Sequence, residues 1–431
     1  MRKTLFSAFL CTFMITAQAQ VQQDWARKCV GSGMDNAAAI AADRLGNVWI
    51  CGNNNWGLGT EDMYAVRYNS AGTQTAGFLY NSSNSEQARA ITTDASSNVY
   101  VVGTTSVSGG PKDITLVKYN SSAVQQWMTT FNTPQNYNDD AAAVAVDASG
   151  NVYITGSVVK ANAFEYDYLT VKFNSAGVMQ WYVFYNGTAN GVDMANDIAV
   201  DAAGNVYVTG LSAGQVFKRL FTVNTGYDYV TIKYNANGVQ QWVQRYNASS
   251  GNDEAKAIAL DASGNVYVTG HSPATSSGNY DCATIKYDNN GTLLWLQRYA
   301  GSAGVNDEGN DIAVDGSNNV YVSGYANSGN GTSNVLGLKY NSAGTPVWTG
   351  LYSSGSGSQN IGVKMGLDAY ANMYIVASTS APGLSNDYLT IKFTSGGALS
   401  WAVKYNSPEN AYDMPTGIAV VMPNAPPGTA V

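Results

Sequence analysis

Hydrophobic and polar residues follow one another along the chain in short alternating or wholly apolar runs, a spacing typical of β-strands rather than helices. Residues 257–299 show the pattern in full. An apolar run leads to the turn sequence Asp-Ala-Ser-Gly-Asn at 261–265 and to the alternating run Val266–Thr269; a third run, a second turn ending at Gly291 and a fourth run around Trp295 complete it. We expect four antiparallel strands joined by tight turns in which Gly supplies the positive φ.

The same segment recurs along the chain. Its landmark, Asp-x-x-Gly-Asn-Val-Tyr-Val-Thr-Gly or a close variant, starts at Asp43, Asp94, Asp147, Asp201, Asp261 and Asp315, with a more divergent copy from Asp368. Successive copies are 51 to 60 residues apart. A lone four-stranded sheet leaves two faces and two edges exposed, whereas sheets arranged in a ring cover one another. The repeat therefore predicts an all-β propeller of seven blades, each with four antiparallel strands.

Both ends of the repeat region carry parts of a further unit. Trp25–Cys29 has the sequence of a fourth strand, and Ile418–Val421 that of a first strand. Two closures follow: seven blades, with the N-terminal strand completing the last one, or an eighth blade that is incomplete in this chain. We assign residues 20–422 to the propeller. Residues 423–431 contain three prolines and are assigned to a linker or the start of a further segment, because we expect the polypeptide to continue.

Tryptophan marks one position of the predicted fourth strand. Seven of the nine tryptophans occupy it: Trp25, Trp127, Trp181, Trp242, Trp295, Trp348 and Trp401. Repeated aromatic residues usually bury area between structural units, so we predict packing between blades. A carbohydrate-binding stripe is the alternative.

The N-terminus has the three parts of a secretory signal. A basic start (Arg2, Lys3) precedes the apolar run 5–16 and the cleavage pattern Ala17–Ala19. We assign residues 1–19 to a signal peptide, which predicts a secreted or cell-surface protein. No later apolar run reaches the ~20 residues that a membrane-spanning helix requires.

Charge disfavours two classes of partner. Without the two basic residues of the signal, 20 basic and 30 acidic residues give a net charge of 20 − 30 = −10. Contacts with nucleic-acid phosphates or anionic lipids require clustered Lys and Arg, so neither partner is expected.

The sequence has a single histidine, His271. This disfavours a histidine-based metal centre, and no cofactor is expected.

The units resemble the SBBP repeat, a β-propeller repeat of bacterial secreted and cell-surface proteins, and their rhythm is similar to that of NHL repeats. The matching residues are Ile-Ala-Val-Asp-x-x-Gly-Asn-Val-Tyr-Val-Thr-Gly, as at Ile198–Gly210, and Asp-Tyr-x-Thr-Ile-Lys-Tyr-Asn, as at Asp228–Asn235. The resemblance implies a propeller outside the cytoplasm, commonly with further domains in a larger surface protein. It implies no catalytic residues.

An acidic residue stands at the start of nearly every predicted first strand, and we call this set the acidic ring. It comprises Asp35, Glu86, Asp139, Asp193, Asp253, Asp307 and Asp413, with Asn360 in the remaining unit. In a propeller this position lies near the mouth of the central channel. The ring predicts either a site for a cation such as Ca²⁺ or a polar ligand, or carboxylates bound to backbone N–H groups between blades. We favour the second, because a feature of every repeat usually serves the fold and a ring round a channel does not bring oxygens within the about 2.3–2.6 Å of Ca²⁺.

The connections between second and third strands differ from unit to unit, so ligand-specific residues are expected there. Their aromatic and charged residues include Trp56, Phe164, Tyr166, Phe217, Arg219, Phe221, Tyr227, His271 and Tyr280. The longest connection, Leu211–Tyr227, is predicted to be a loop. Aromatic side chains beside Asn and Ser suit recognition of a glycan or peptide; an ordinary loop packing its own hydrophobic residues is the alternative.

Three functions remain open. The leading hypothesis is a secreted, non-catalytic binding or scaffolding module that presents this face to a glycan or protein at the cell surface. The second is a polysaccharide hydrolase or lyase that uses acidic-ring carboxylates at the channel mouth, although such hydrolysis needs one acid of raised pKa beside an ionised partner rather than a symmetric set. The third is a structural repeat domain of a larger surface adhesin.

Overall fold

The computed structural model describes residues 24–26, 35–54, 61–80, 82, 84–106, 110–159, 165–218, 221–248, 251–273, 279–302, 304–381, 385–407 and 413–420. Most of them belong to 28 β-strands. No helix in this part of the chain is long and apolar enough to cross a membrane. The predicted signal peptide, residues 1–19, lies outside the described residues.

The strands form seven sheets of four, paired antiparallel in sequence order, which we number as blades 1 to 7. Blade 1 is β1 (Asp35–Ala42), β2 (Val48–Asn54), β3 (Asp62–Tyr68) and β4 (Gln74–Tyr80); blade 2 is β5 (Ser85–Thr93), β6 (Val99–Ser106), β7 (Lys112–Tyr119) and β8 (Gln125–Phe131); blade 3 is β9 (Asn138–Val146), β10 (Val152–Val159), β11 (Tyr166–Phe173) and β12 (Met179–Tyr185); blade 4 is β13 (Asp193–Val200), β14 (Val206–Lys218), β15 (Phe221–Tyr234) and β16 (Gln240–Tyr246). Blade 5 is β17 (Glu254–Leu260), β18 (Val266–Pro273), β19 (Tyr280–Tyr287) and β20 (Leu293–Tyr299); blade 6 is β21 (Asp307–Val314), β22 (Val320–Asn327), β23 (Ser333–Tyr340) and β24 (Pro346–Tyr352); blade 7 is β25 (Gln359–Leu367), β26 (Met373–Ser380), β27 (Asp387–Phe393) and β28 (Leu399–Tyr405). The predicted seven-bladed propeller is confirmed.

First strands of successive blades contact one another and form the inner wall of the ring. The second and third strands are almost wholly buried between neighbouring blades, whereas the fourth strands alternate between exposed and half-buried residues at the outside. The core is therefore a set of six similar clusters, most of them shared by adjacent blades. This mutual coverage is why the apolar second strand can occur once per repeat.

The repeated turn after each first strand is held by its leading aspartate. In blade 5, Asp261 accepts hydrogen bonds from the Ser263 and Asn265 backbone N–H groups at 2.9 Å, from the Asn265 side chain at 2.7 Å and from the Tyr267 hydroxyl at 2.9 Å. Gly264 has a φ of 75°, which favours glycine. These bonds explain why Asp, Gly, Asn and Tyr recur together in the landmark sequence.

The glycine that ends the landmark allows the first two strands to approach closely. A Cβ on Gly270 would collide with the carbonyl oxygen of Glu254 in β17. The register shifts at this point, between Ala255 and Ala257, as it does in the first strand of the other blades. The resulting bulge fixes which first-strand side chains face the centre of the ring.

The turns after first and third strands lie at one end of the ring, and the connections that enter third and first strands lie at the other, which we call the loop face. Antiparallel pairing in sequence order requires this arrangement. The predicted loop Leu211–Tyr227 is wrong: β14 and β15 continue as a paired hairpin from Ala213 and Tyr227 out to Lys218 and Phe221. The β-branched and aromatic residues of this stretch favour strand over loop.

The described segments nearest the two ends of the chain, 24–26 and 413–420, both contact blade 1. The N-terminal segment does not complete the last blade, because blade 7 has its own fourth strand, β28. Residues 413–420 follow β28 along the chain, and Gly417 packs against Ile40 of β1. Trp25 packs on Gly72, in the turn between β3 and β4.

Candidate binding site at the loop face

The acidic ring is buried where each first strand begins. Glu86, Asp139, Asp193, Asp253 and Asp307 are at most 1% exposed. Asn360 is also buried and Asp413 is half-buried; the side chain of Asp35 lies outside the described part.

The hydrogen bonds of the ring go to the preceding connection between blades. Asp139 accepts from the Thr133 backbone N–H at 2.7 Å, Asp193 from Gly187 at 2.7 Å and Asp307 from Gly301 at 2.6 Å. Each of these three carboxylates thus ties the chain leaving one blade to the first strand of the next. The side chains face protein rather than the open channel.

A second carboxylate, from the third strand of the preceding blade, lies near each of several ring members. Burial raises the pKa of Asp139 to about 6, and the negative charge of Asp113 adds to the rise. Two such junctions have a cation: Arg245 pairs with Asp228 at 2.5 Å, and Arg298 pairs with Asp281 at 3.1 Å. Among the described residues, no group of three or more His, Cys, Asp and Glu side chains is arranged to hold a metal ion.

The polar residues that reach the centre of the ring lie further along the first strands. Lys364 of blade 7 lies 3.5 Å from Asp311 of blade 6. Burial raises the pKa of Asp197, in blade 4, to about 6, while Lys364 opposes the rise. Because blades 4 and 7 are not neighbours, this interaction places their side chains in a common central space.

Nearer the loop face, first-strand side chains bridge adjacent blades. Arg89 and Asp140 form an ion pair at 3.2 Å between blades 2 and 3. Asn196 donates a hydrogen bond to Glu254 at 3.2 Å between blades 4 and 5. Lys256 pairs with Glu308 between blades 5 and 6. Charged groups therefore surround the loop-face entrance of the channel.

Three of the predicted binding residues occupy one position on consecutive blades. Tyr166, Tyr227 and Tyr280 each stand one residue before the third-strand aspartate of blades 3, 4 and 5, and each is half-buried. The Tyr227 and Tyr280 backbone N–H groups donate to the side-chain oxygens of Asn252 and Asn306, both at 3.1 Å. The structure therefore fixes these residues, which we call the tyrosine arc, against the connection into the following blade.

His271 supports one end of the tyrosine arc. Its ring centroid lies 4.5 Å from that of Tyr280, and its Nδ1 lies 3.7 Å from Glu308. Glu308 also accepts a hydrogen bond from the Tyr325 hydroxyl at 3.0 Å. Burial lowers the pKa of His271 to about 4, and Lys256 adds to the effect, so the imidazole is neutral at pH 7. His271 therefore packs against Tyr280, and its Nδ1 makes no hydrogen bond to Glu308.

The remaining predicted residues are not brought into this site by the described structure. Trp56, Phe164 and Arg219 lie outside the described residues, and Phe217 and Phe221 are described only as paired backbone positions of the β14–β15 hairpin. Sequence reasoning missed the channel-entrance residues Glu254, Lys256 and Glu308. These two first-strand positions differ from unit to unit, with Asp140 and Arg89 as charged counterparts in blades 3 and 2, so an alignment of the units would have separated them from the repeated core positions.

The fourth-strand tryptophans of blades 2 to 6 lie away from the loop face, at the junctions between blades. Trp242 donates from Nε1 to the Asn289 carbonyl of blade 5 at 3.1 Å and packs on Gly291. Lys233, which lies over the ring of Tyr207, donates to the same carbonyl at 3.0 Å. The contacts support packing between blades rather than a carbohydrate-binding stripe.

Three segments of the chain, residues 182–218, 241–275 and 297–332, match the family model of the SBBP β-propeller repeat. Each begins in a fourth strand and ends after the second strand of the next blade. Three repeats of the chain therefore match the SBBP repeat. The matched segments span the junctions of blades 3 to 6 and do not include Tyr166, Tyr227 or Tyr280. No curated protein sequence matches the chain.

Solved structures resemble the seven-bladed ring in architecture at low sequence identity. The β-propeller domain of the Trilobed protease from Pyrococcus furiosus is 7% identical, with a TM-score of 0.49, over 87% of this chain and 99% of that one. The quinohemoprotein alcohol dehydrogenase from Comamonas testosteroni is 8% identical, with a TM-score of 0.48, over 82% and 66%. A polysaccharide lyase of family PL25, an ulvan lyase, is 12% identical, with a TM-score of 0.45, over 87% and 95%. These likenesses carry no argument about what this chain binds.

Proposed function

We propose that the protein is a secreted, non-catalytic binding module that recognises a glycan through its loop face. The observation that carries the proposal is the tyrosine arc, in which three consecutive blades present the same half-buried aromatic residue at the same position. Aromatic faces stack on the apolar faces of sugar rings, and a periodic row of them suits a ligand built from repeated units.

The channel entrance supports this assignment with polar groups. Glu254, Lys256 and Glu308 provide charged donors and acceptors beside Tyr280, and their bonds to neighbouring blades hold them in place. A glycan stacked on the tyrosine arc would displace water and form hydrogen bonds with these charged side chains. The SBBP repeats and the signal-like N-terminus support a location outside the cytoplasm.

A glycan array with the protein lacking residues 1–19 tests the proposal. An aromatic contact contributes about 1 kcal/mol, so Tyr280→Ala should weaken binding of the best glycan about fivefold. Replacing all three arc tyrosines by alanine should weaken it about a hundredfold, if the contributions add.

Tyr370→Ala is the matched control, because Tyr370 is 82% exposed in a turn at the opposite end of the ring. It should bind as the parent protein does, and thermal unfolding should show all variants folded. Absence of glycan binding, or equal loss in the arc and Tyr370 variants, would remove the proposal.

A further inference from the structure

The fourth-strand arginine of blade 5 is held by a fixed group of oxygen atoms. Arg298 donates to the Asp281 carboxylate at 3.1 Å and to the Ser272 hydroxyl and carbonyl at 2.7 and 2.6 Å. It also donates to the Tyr246 hydroxyl of blade 4 at 3.0 Å. Ser272 and Asp281 lie opposite each other on the second and third strands. We call this hydroxyl residue, this aspartate and the tyrosine that ends the preceding blade the acceptor set.

Blade 4 has the same acceptor set. Arg245 donates to the Asp228 carboxylate and to the Ser212 hydroxyl, both at 2.5 Å, and Ser212 lies opposite Asp228. Tyr185, which ends blade 3, is a further hydrogen-bond partner of Arg245. The planar guanidinium carries several N–H donors in a fixed fork, so acceptors placed on three sides hold it better than they hold a point charge.

Across the blades, the hydroxyl residue occurs with a basic residue, with one exception. Blade 7 has Lys404, which forms an ion pair with Asp387, opposite Thr379. Blade 6 lacks the hydroxyl, the acid and the base; the corresponding residues are Ala326, Asn334 and Leu351. Blades 1 and 3 keep the aspartate but have neither the hydroxyl nor the base; their second-strand and fourth-strand residues are Asn54 and Leu79, and Val158 and Phe184.

The exception is blade 2, which has the acceptor set but no basic residue. Thr105 lies opposite Asp113, and Thr130 occupies the fourth-strand position of the arginine. Tyr80 ends the fourth strand of blade 1, as Tyr246 does in blade 4. Blade 2 therefore presents the oxygen atoms that hold a guanidinium in blades 4 and 5, without a guanidinium of its own.

The carboxylate of this set lacks a compensating charge. Among the described residues, Oδ1 of Asp113 is buried without a hydrogen-bond partner. Burial raises the pKa of Asp113, and no basic group of the described chain opposes the rise, whereas Arg245 opposes it at Asp228. A buried carboxylate without a cation or a full set of hydrogen bonds is destabilising, so a cation bound there would stabilise the fold.

The set is open to solvent and its surroundings are polar. Thr130 is exposed and Asp113 is half-buried, whereas the aspartates of the other three sets are at most 9% exposed. Thr115, opposite Thr130, bonds to the Thr105 hydroxyl at 2.7 Å. Its counterparts in blades 4, 5 and 7 are apolar: Val230, Ala283 and Leu389. A ligand therefore reaches Asp113 from the outer rim of blade 2.

We propose that the acceptor set of blade 2 binds a guanidinium group from outside the chain, either an arginine side chain of a polypeptide or a small alkylguanidinium compound. The group takes the place that Arg298 fills in blade 5 and donates to Asp113, Thr105 and Tyr80. The Thr105 hydroxyl keeps acceptor lone pairs when it donates to Thr115. The inference stands apart from the glycan site at the loop face.

Ligand-detected saturation-transfer NMR at pH 8 with ethylguanidinium tests the proposal. Ethylammonium has the same charge and carbon chain but no fork, and it should bind more weakly by about fivefold or more. A short peptide with one central arginine, and its neutral citrulline analogue, separate the two sources. If the arginine peptide binds about tenfold more tightly than ethylguanidinium, the natural ligand is a polypeptide side chain; equal binding assigns a small compound. Either result requires that the citrulline peptide does not bind.

Variants of the protein locate the binding. Thr130→Arg supplies the missing side chain from within, so it should abolish ethylguanidinium binding and raise the melting temperature by about 1–2 °C. Asp113→Asn should abolish binding as well. Leu351→Arg is the matched control, because it places an arginine at the same position of blade 6, which lacks the acceptors. It should leave both ethylguanidinium binding and the melting temperature unchanged.

Arg298→Thr reproduces the composition of blade 2 in blade 5. This variant should bind a second ethylguanidinium and regain part of its lost melting temperature as the ligand is added. The proposal is overturned if the parent does not bind ethylguanidinium at about 10 mM, or if binding survives Thr130→Arg. A rise in melting temperature with CaCl₂ that Asp113→Asn removes, without ethylguanidinium binding, would assign the set to a metal ion and also overturn it. None of these outcomes depends on glycan binding.

Discussion

Replacing Asp139 by asparagine should stabilise the protein at pH 8 and leave its stability nearly unchanged at pH 4. Burial raises the pKa of this carboxyl from 3.8 to about 6, although the Thr133 N–H group at 2.7 Å favours the ionised form; Asp113 adds to the rise. A shift of one unit corresponds to about 1.4 kcal/mol, so the ionised native state carries a penalty of about 3 kcal/mol.

The sign follows from proton linkage. Because the pKa is higher in the folded than in the unfolded chain, protonation favours folding; the contribution of Asp139 is fully present below pH 3.8 and is lost as the pH rises through 6. Asparagine can still accept from Thr133 and carries no charge. The free energy of unfolding of Asp139→Asn should therefore exceed that of the parent by up to about 3 kcal/mol at pH 8 and by little at pH 4.

Urea unfolding from pH 4 to pH 8 measures the difference. Asp261→Asn is a control that should show the opposite pH dependence. Burial favours a higher pKa for Asp261, but the hydrogen bonds from Asn265, Tyr267 and Ser263 outweigh burial and lower the pKa. Its contribution is present above pH 3.8 and lost as the pH falls through the lowered pKa, so the variant should lose most stability near neutral pH. A difference between Asp139→Asn and the parent that is independent of pH, or a loss at pH 8, would refute the reasoning.

Further outcomes follow from the junctions and the buried thiols. Trp242→Ala should lower the free energy of unfolding by about 2 kcal/mol, and Trp401→Ala, which meets no following turn among the described residues, by less; equal losses in urea unfolding would contradict the junction contact. Gly270→Ala, whose Cβ meets the Glu254 carbonyl, should cost about 1–3 kcal/mol, whereas Gly316→Ala, with nothing within 4 Å, should change the melting temperature little. Burial raises the pKa of the Cys282 thiol to about 12, so iodoacetamide at pH 8 should leave it unmodified until urea unfolds the protein, as mass spectrometry would show; rapid alkylation of the native protein would argue against its burial.

The repeat made the fold predictable. Turn residues, strand order and the packing role of tryptophan all recur, so a single unit such as 257–299 predicts the others. The hairpin of β14 and β15 was missed because it occurs once, and its aromatic residues resembled a ligand-binding loop. The burial of the acidic ring depends on how neighbouring blades approach, and only part of this is visible in one unit's sequence.

The candidate site was predictable only where it reuses a repeated position. Tyr166, Tyr227 and Tyr280 were found from the sequence as separate loop residues, yet their shared position follows from aligning the units on the third-strand aspartate. Lys256 and Glu308 come together only because the ring brings strands of different blades into contact. The residue pattern within a single strand does not predict the ion pair between Lys256 and Glu308.

The contact between blades runs in one direction, since the donors of blades 1 to 6 each meet the backbone of the blade that follows. Such a head-to-tail interface makes the joints nearly interchangeable, so the order of modules is set by chain connectivity more than by matching surfaces. New termini could then be opened at another joint, with the present ends linked, and the circle would still assemble from the same neighbours. Duplication of whole units preserves every contact between blades. Loss of part of a unit leaves one lysine and tryptophan without an acceptor and one turn without its donors.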